Sequence, residues 1–166
     1  NTLFVFFGDH GIHAPTGKHI PAYEAQLNLQ GLRVPLVFYS KSIIDEPRVF
    51  DTIASEVDVM PTIASLTQTR YLNTTLGRDL TDNQFDDERY AFTIEHGSDR
   101  TIGLLSDDYY LLMQSDGSKQ RLHHLNGDDP RANVASDNQQ MTDSLSQKLT
   151  DIWNTIRYMR ENNKPE

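Results

Sequence analysis

The sequence predicts an α/β fold in two parts: a parallel-sheet portion over residues 1–85, then a small antiparallel sheet with a long covering helix over residues 86–166, all of one domain. Three observations carry this. Two short, nearly unbroken apolar runs read as strands: Thr2–Phe7, which has the character of a strand buried on both faces, and Arg33–Ser40. Four further short runs between Tyr90 and Leu125 are separated by Gly, Ser and Asp, which is the rhythm of a meander. Finally, Met141, Leu145, Leu149, Ile152, Trp153, Ile156 and Met159 recur every three or four residues, marking one apolar helix face.

The first run stops at Gly8 and opens into a polar segment, Asp9 to His19, which contains Gly11, Pro15 and Gly17 and reads as a loop at the carboxyl end of the strand. Ligand sites of open α/β sheets lie at that end. A short helix is expected around Ala22–Leu29, and the Arg33–Ser40 strand follows, with Pro35 near its start or at an unpaired N–H. Apolar residues at 57, 60, 63, 64 and 66 predict a helix over Glu56–Leu66, with Pro61 in its first turn and Asp58 as a helix-start residue that bonds backbone N–H groups. A polar loop spans about Thr67 to Glu88. The meander strands are Tyr90–Ile94, Thr101–Leu105, Tyr109–Gln114 and Gln120–Leu125, and the chain closes on a polar tail, Glu161 to Glu166.

With 166 residues, 37% of them hydrophobic, the chain can bury one sizeable core. Its formal charge is −9, from 24 acidic and 15 basic residues without a basic block, which argues against a nucleic-acid or anionic-membrane surface. An anionic substrate must therefore meet a local exception to that field. There is no cysteine, hence no disulfide or thiol nucleophile, and redox chemistry leaves periplasm and cytoplasm both open. Neither a membrane span nor a signal peptide occurs in these residues. Because a buried strand is expected from the second residue onward, the chain is expected to be a piece of a longer protein.

Chemistry concentrates in the first loop. Asp9 and His10 place a carboxylate beside an imidazole just past a strand, flanked by glycines that allow sharp turns and close approach. Such a pair suits Mn²⁺ or Zn²⁺, or Ca²⁺ where oxygen dominates the remaining ligands. The alternative is an ordinary polar turn. His13, Lys18 and His19 follow closely and form a local positive patch. A metal with adjacent cationic donors is what a phosphate or sulfate ester needs as charge gathers on its oxygens.

Four stretches, "FFGDHG", "GKHIPAYEAQLNLQGLRVPLVFYS", "SEVDVMPTIASL" and "RLHHLNGDDPRANVA", stand in the order and at about the spacing of the carboxyl-terminal half of the sulfatase family in the alkaline phosphatase superfamily. The pattern most resembles the membrane-anchored branch of lipoteichoic acid synthase and the phosphoglycerol transferases. The resemblance implies an alkaline-phosphatase-like fold and a divalent metal (Mn, Zn, Ca or Mg) held by Asp9 and His10. His19 first, then Lys18, with His13 a weaker candidate, would contact the ester oxygens. Arg33, His96, His123 and His124 are read as structural.

The chain departs from the family in one respect. No Ser or Cys stands in the family's "CxPxR" or "SxPxR" pattern, so the nucleophile and further acidic ligands are expected upstream, and these residues alone are expected to be inactive. The resemblance thus implies an enzyme acting on a phosphate or sulfate ester, lipid-linked in the transferase branch, with this part outside the cytoplasmic membrane of a bacterium. A hydrolytic sulfatase and a non-catalytic binding domain on the same fold are the alternatives.

Overall fold

The structure, a computed structural model, describes residues 2–12, 20–95 and 100–163. It divides into two compact units: residues 1–51 with 66–69, and residues 52–65 with 70–166.

In the first unit, β1 (Phe4–Phe7) pairs with β2 (Leu36–Tyr39). Between them lie two single-turn helices, α1 (Ala22–Gln26) and α2 (Leu29–Leu32). Asn28, in the left-handed region at φ 57°, breaks the helical path between α1 and α2. The pairing is antiparallel, with Phe4 opposite Tyr39 and Phe7 opposite Leu36, so the expected parallel portion is not seen among the described residues. The cause lies in where β2 begins. The Gly8 N–H reaches the Pro35 carbonyl (3.4 Å) and the Gly11 N–H the Gly31 carbonyl (2.9 Å), so the exit of β1 is tied to the entry of β2. A parallel pair would need a crossover returning to the opposite end. Pro35 sits just before β2, as its missing N–H predicts.

Burial on both faces is also corrected. Phe4, Phe6, Val37 and Tyr39 share one face of this ribbon, and each is about half exposed (49, 58, 50 and 49%). The rings of Phe4 and Phe6 stack at 6.3 Å, and Phe4 lies 6.3 Å from Tyr39, so this face is a continuous aromatic strip.

In the second unit, a 3₁₀ turn (Glu56–Asp58) leads into α3 (Val59–Leu66). The loop after α3 is pinned back onto its start. The Asp58 carboxylate accepts from the backbone N–H of Ser55 (2.8 Å) and of Arg78 (2.7 Å). The Thr62 hydroxyl donates to the Asp58 carbonyl (2.7 Å) and accepts from Leu80 N–H (3.0 Å). Gly77 permits this approach, because a Cβ there would run into the Val57 carbonyl. Asp58 therefore has the helix-start role read from the sequence.

The meander forms as expected. β3 (Ala91–Ile94), β4 (Thr101–Leu105), β5 (Tyr109–Gln114) and β6 (Arg121–His124) pair antiparallel in that order. Phe92, Leu104, Leu111 and Leu122 make one cross-strand row. Against it packs α4 (Gln139–Asn162) through Leu149 and Ile152, with Trp153 stacked on Phe92 at 6.2 Å. Leu111, Leu122 and Leu149 are fully buried, so this row is the centre of the core. On the opposite face the Tyr110 ring lies over Gly103, where a Cβ would strike Thr93 Oγ and sit 2.8 Å from the ring, and its hydroxyl meets Thr93 Oγ at 3.0 Å. Burial pushes the Tyr110 phenol up to about 12, against the Thr93 hydrogen bond.

Candidate metal centre

Asp9 and His10 leave β1 through Gly8, and Gly11 seats the turn directly on the backbone of α2. A Cβ at Gly11 would overlap the Gln30 carbonyl and come within 2.9 Å of the Arg33 carbonyl, so only glycine lets the turn lie this close. The close approach expected of these glycines is thus made to the protein's own helix.

This seating aims two donors outward. The His10 N–H donates to Asp9 Oδ1 (3.0 Å). His10 Nδ1 lies 2.8 Å from the Gly11 carbonyl, which can only accept, so this nitrogen carries the proton when it bonds there and Nε2 presents its lone pair. Nε2 stands 3.9 Å from Asp9 Oδ2, and the side chains are 76% and 90% exposed. The Gly11 carbonyl, then the Asp9 charge, raise the His10 imidazole above the usual histidine value.

The arrangement fits a metal. A ligating imidazole is normally held by a hydrogen bond from its other nitrogen, and the Gly11 carbonyl supplies that bond. A nitrogen beside a carboxylate oxygen suits Mn²⁺ or Zn²⁺ better than ions that prefer oxygen alone. Among the described residues no group of three His, Asp or Glu forms a cluster, so Asp9 and His10 stand as a pair.

The other predicted substrate residues, His13, Lys18 and His19, lie outside the described residues, as does His96. Arg33 pairs with Glu24 (3.4 Å), in keeping with a structural role. His124 stacks on Tyr109 at 4.7 Å and His123 is buried in β6, so both are parts of the sheet. A cavity of about 300 Å³ in the second unit, walled by Leu76, Phe92, Ile156 and Met159, includes Asp58 and none of the predicted ligands. Sequence reasoning missed the seat of Gly11 on α2; the only signal for it was the second glycine of the Gly8–Gly11 quartet.

Residues 1–69 match the sulfatase family. Among solved structures, the chain resembles a candidate sulfatase from Bacteroides thetaiotaomicron VPI-5482, with TM-score 0.60 and 18% identity over 97% of this chain and 37% of that one. It is similar to BT1596, a 2-O GAG sulfatase, with TM-score 0.59 and 19% identity over 97% and 37%. A third likeness is BT4656, solved in complex with its substrate D-glucosamine-2-N,6-O-disulfate, with TM-score 0.52 and 18% identity over 80% and 30%. The chain therefore has the fold of a sulfatase region and spans about a third of the length of these structures. Among curated proteins it matches none.

Proposed function

We propose that the chain is the metal-bearing part of a longer enzyme, of the sulfatase class, that cleaves or transfers a phosphate or sulfate ester. The observation that carries the reading is the pair on the β1 exit: Asp9 Oδ2 and His10 Nε2 converge at 3.9 Å with the imidazole's other nitrogen held by the Gly11 carbonyl. The family match over residues 1–69, which contain this pair, and the sulfatase fold support it. The uncovered face of Phe4, Phe6, Val37 and Tyr39 supports a longer polypeptide, because a strip of this kind in a monomer marks a surface meant for a partner layer.

In this reading Asp9 and His10 hold the ion, and β1 with α2 keeps their donor atoms fixed. The ion supplies positive charge to the attacking oxygen and the ester oxygens. His19, Lys18 and His13 neutralise the non-bridging oxygens, and the nucleophile comes from residues before Asn1. Within the class, the order of the four motifs favours transfer of a phosphoglycerol group from a lipid, outside the cytoplasmic membrane of a bacterium. No described helix is long and apolar enough to cross a membrane, so an anchor would be supplied by other residues.

The test uses the polypeptide encoded by the complete reading frame. With Mn²⁺ present, the protein is assayed on p-nitrophenyl phosphate, p-nitrophenyl sulfate and vesicles of phosphatidylglycerol, beside Asp9→Ala and His10→Ala. Turnover that falls about 100-fold or more in both variants is expected. Release of diacylglycerol from the vesicles identifies the transferase, and release of sulfate alone the hydrolase. Variants as active as the parent would refute the assignment, and metal binding without turnover of any ester would favour the binding-domain alternative.

A further inference from the structure

His123 is 4% exposed on β6, and among the described residues neither of its ring nitrogens has a hydrogen-bond partner. Buried polar atoms are almost always paired, because an unpaired one has given up water without replacement. The groups that face the ring come from three elements. Tyr110 of β5 stands opposite it in register, its phenol neutral. Arg121 lies two residues away on its own strand. From the segment after β6, the carbonyls of Pro130, Arg131 and Ala132 approach it, while the Arg131 guanidinium is engaged by Asp129 at 2.9 Å. Burial first, then the Arg121 charge, oppose a proton on the ring; the three carbonyls favour one to a smaller extent, and the imidazole lies below the usual histidine value.

The segment so approached is held at its two ends, and near its start the Asn126 amide donates to Asp108 Oδ1 (2.8 Å) and the Gly127 N–H to the His124 carbonyl (3.1 Å). Leu125 N–H donates to the Asp108 carbonyl (2.8 Å), Val134 N–H to the Leu122 carbonyl (2.8 Å), and Leu122 N–H to Asn133 Oδ1 (3.0 Å). What histidine adds is the capacity to gain a charge.

We propose that His123 is an acid-operated latch on the segment from Leu125 to Asn133: a proton taken from solvent creates a buried imidazolium beside Arg121, and the segment lifts to let the ring reach water. The sign follows from linkage. The unfolded chain takes up this proton at an ordinary value of about 6.5, whereas the folded chain resists it, so stability is full above about pH 6.5 and falls as the pH drops below it.

The experiment compares thermal unfolding of the protein and of His123→Phe between about pH 7.5 and pH 5, with imidazole resonances followed by NMR in the unaltered protein. The other histidines are common to both and cancel. Expected is a gap in melting temperature that widens in favour of the variant on acidification, on the order of 4 °C for each tenfold fall in the folding equilibrium constant. One imidazole should titrate below about 6.5, and exchange at the Leu125 and Val134 amides should quicken relative to β4 and β5 amides. Parallel acid losses in the two proteins, or titration of every imidazole at or above about 6.5, overturn the proposal. Should His123→Phe not fold, His123→Gln and the resonances of the unaltered protein decide by the same criteria.

Discussion

Replacing Asp58 by alanine strips the acceptor from two backbone donors at once, the N–H groups of Ser55 at 2.8 Å and Arg78 at 2.7 Å. Both bonds are charge-assisted, a kind that contributes about 1.5–3 kcal/mol each, and the carboxylate is 7% exposed. Because Ser55 and Arg78 are themselves only half-buried, water can recover part of that loss, and the expected destabilisation is about 2–4 kcal/mol. Asp58→Asn keeps one acceptor oxygen but turns an amide N–H₂ toward the other donor, so it should fall about midway. Urea denaturation at neutral pH reads both, with an unchanged denaturant slope showing that the native state is otherwise intact. An alanine variant within about 1 kcal/mol of the parent, or an asparagine variant as damaged as alanine, would show that the Asp58 carboxylate does not hold this loop.

Three other substitutions test the packing. Gly103→Ala should cost about 1–3 kcal/mol, because the new methyl meets Thr93 Oγ and the Tyr110 ring, and near-ultraviolet circular dichroism should report the displaced tyrosine. Leu149→Ala, at the fully buried contact between α4 and the β3–β6 sheet, should cost about 2–5 kcal/mol in the same urea assay. Gly11→Ala drives a methyl into the Gln30 carbonyl and must unseat the turn from α2; faster amide exchange at Gly11 and Arg33 is expected, with the β3–β6 sheet unaffected.

Where the sequence encodes position along one element, it could be read: the meander strands and α4 lie within a residue or two of the expected spans, and Asp58 has its predicted role. Where the outcome depends on what meets what across the chain, it could not. An apolar run such as Thr2–Phe7 shows an appetite for burial but carries neither its direction of pairing nor the identity of its cover, so the antiparallel partner and the half-exposed Phe4 and Phe6 were out of reach. Asp9 and His10 were legible as a pair from residue type and spacing; the Gly11 carbonyl that orients the imidazole was not, because it depends on how the turn closes over α2. The sequence marks His123 as structural, but its lack of hydrogen-bond partners among the described residues is a property of packing alone.

Asp9 and His10 are proposed as ligands of one divalent ion, two donors of a site that other residues complete. Titration of Mn²⁺ into the 166-residue chain by calorimetry, with Asp9→Ala and His10→Ala beside it, tests this. Binding no tighter than roughly millimolar, abolished by either substitution, is expected, since two ligands fall short of the four or more that a tight site requires. Heats unchanged by both substitutions, or tight one-to-one binding by these residues alone, would contradict it.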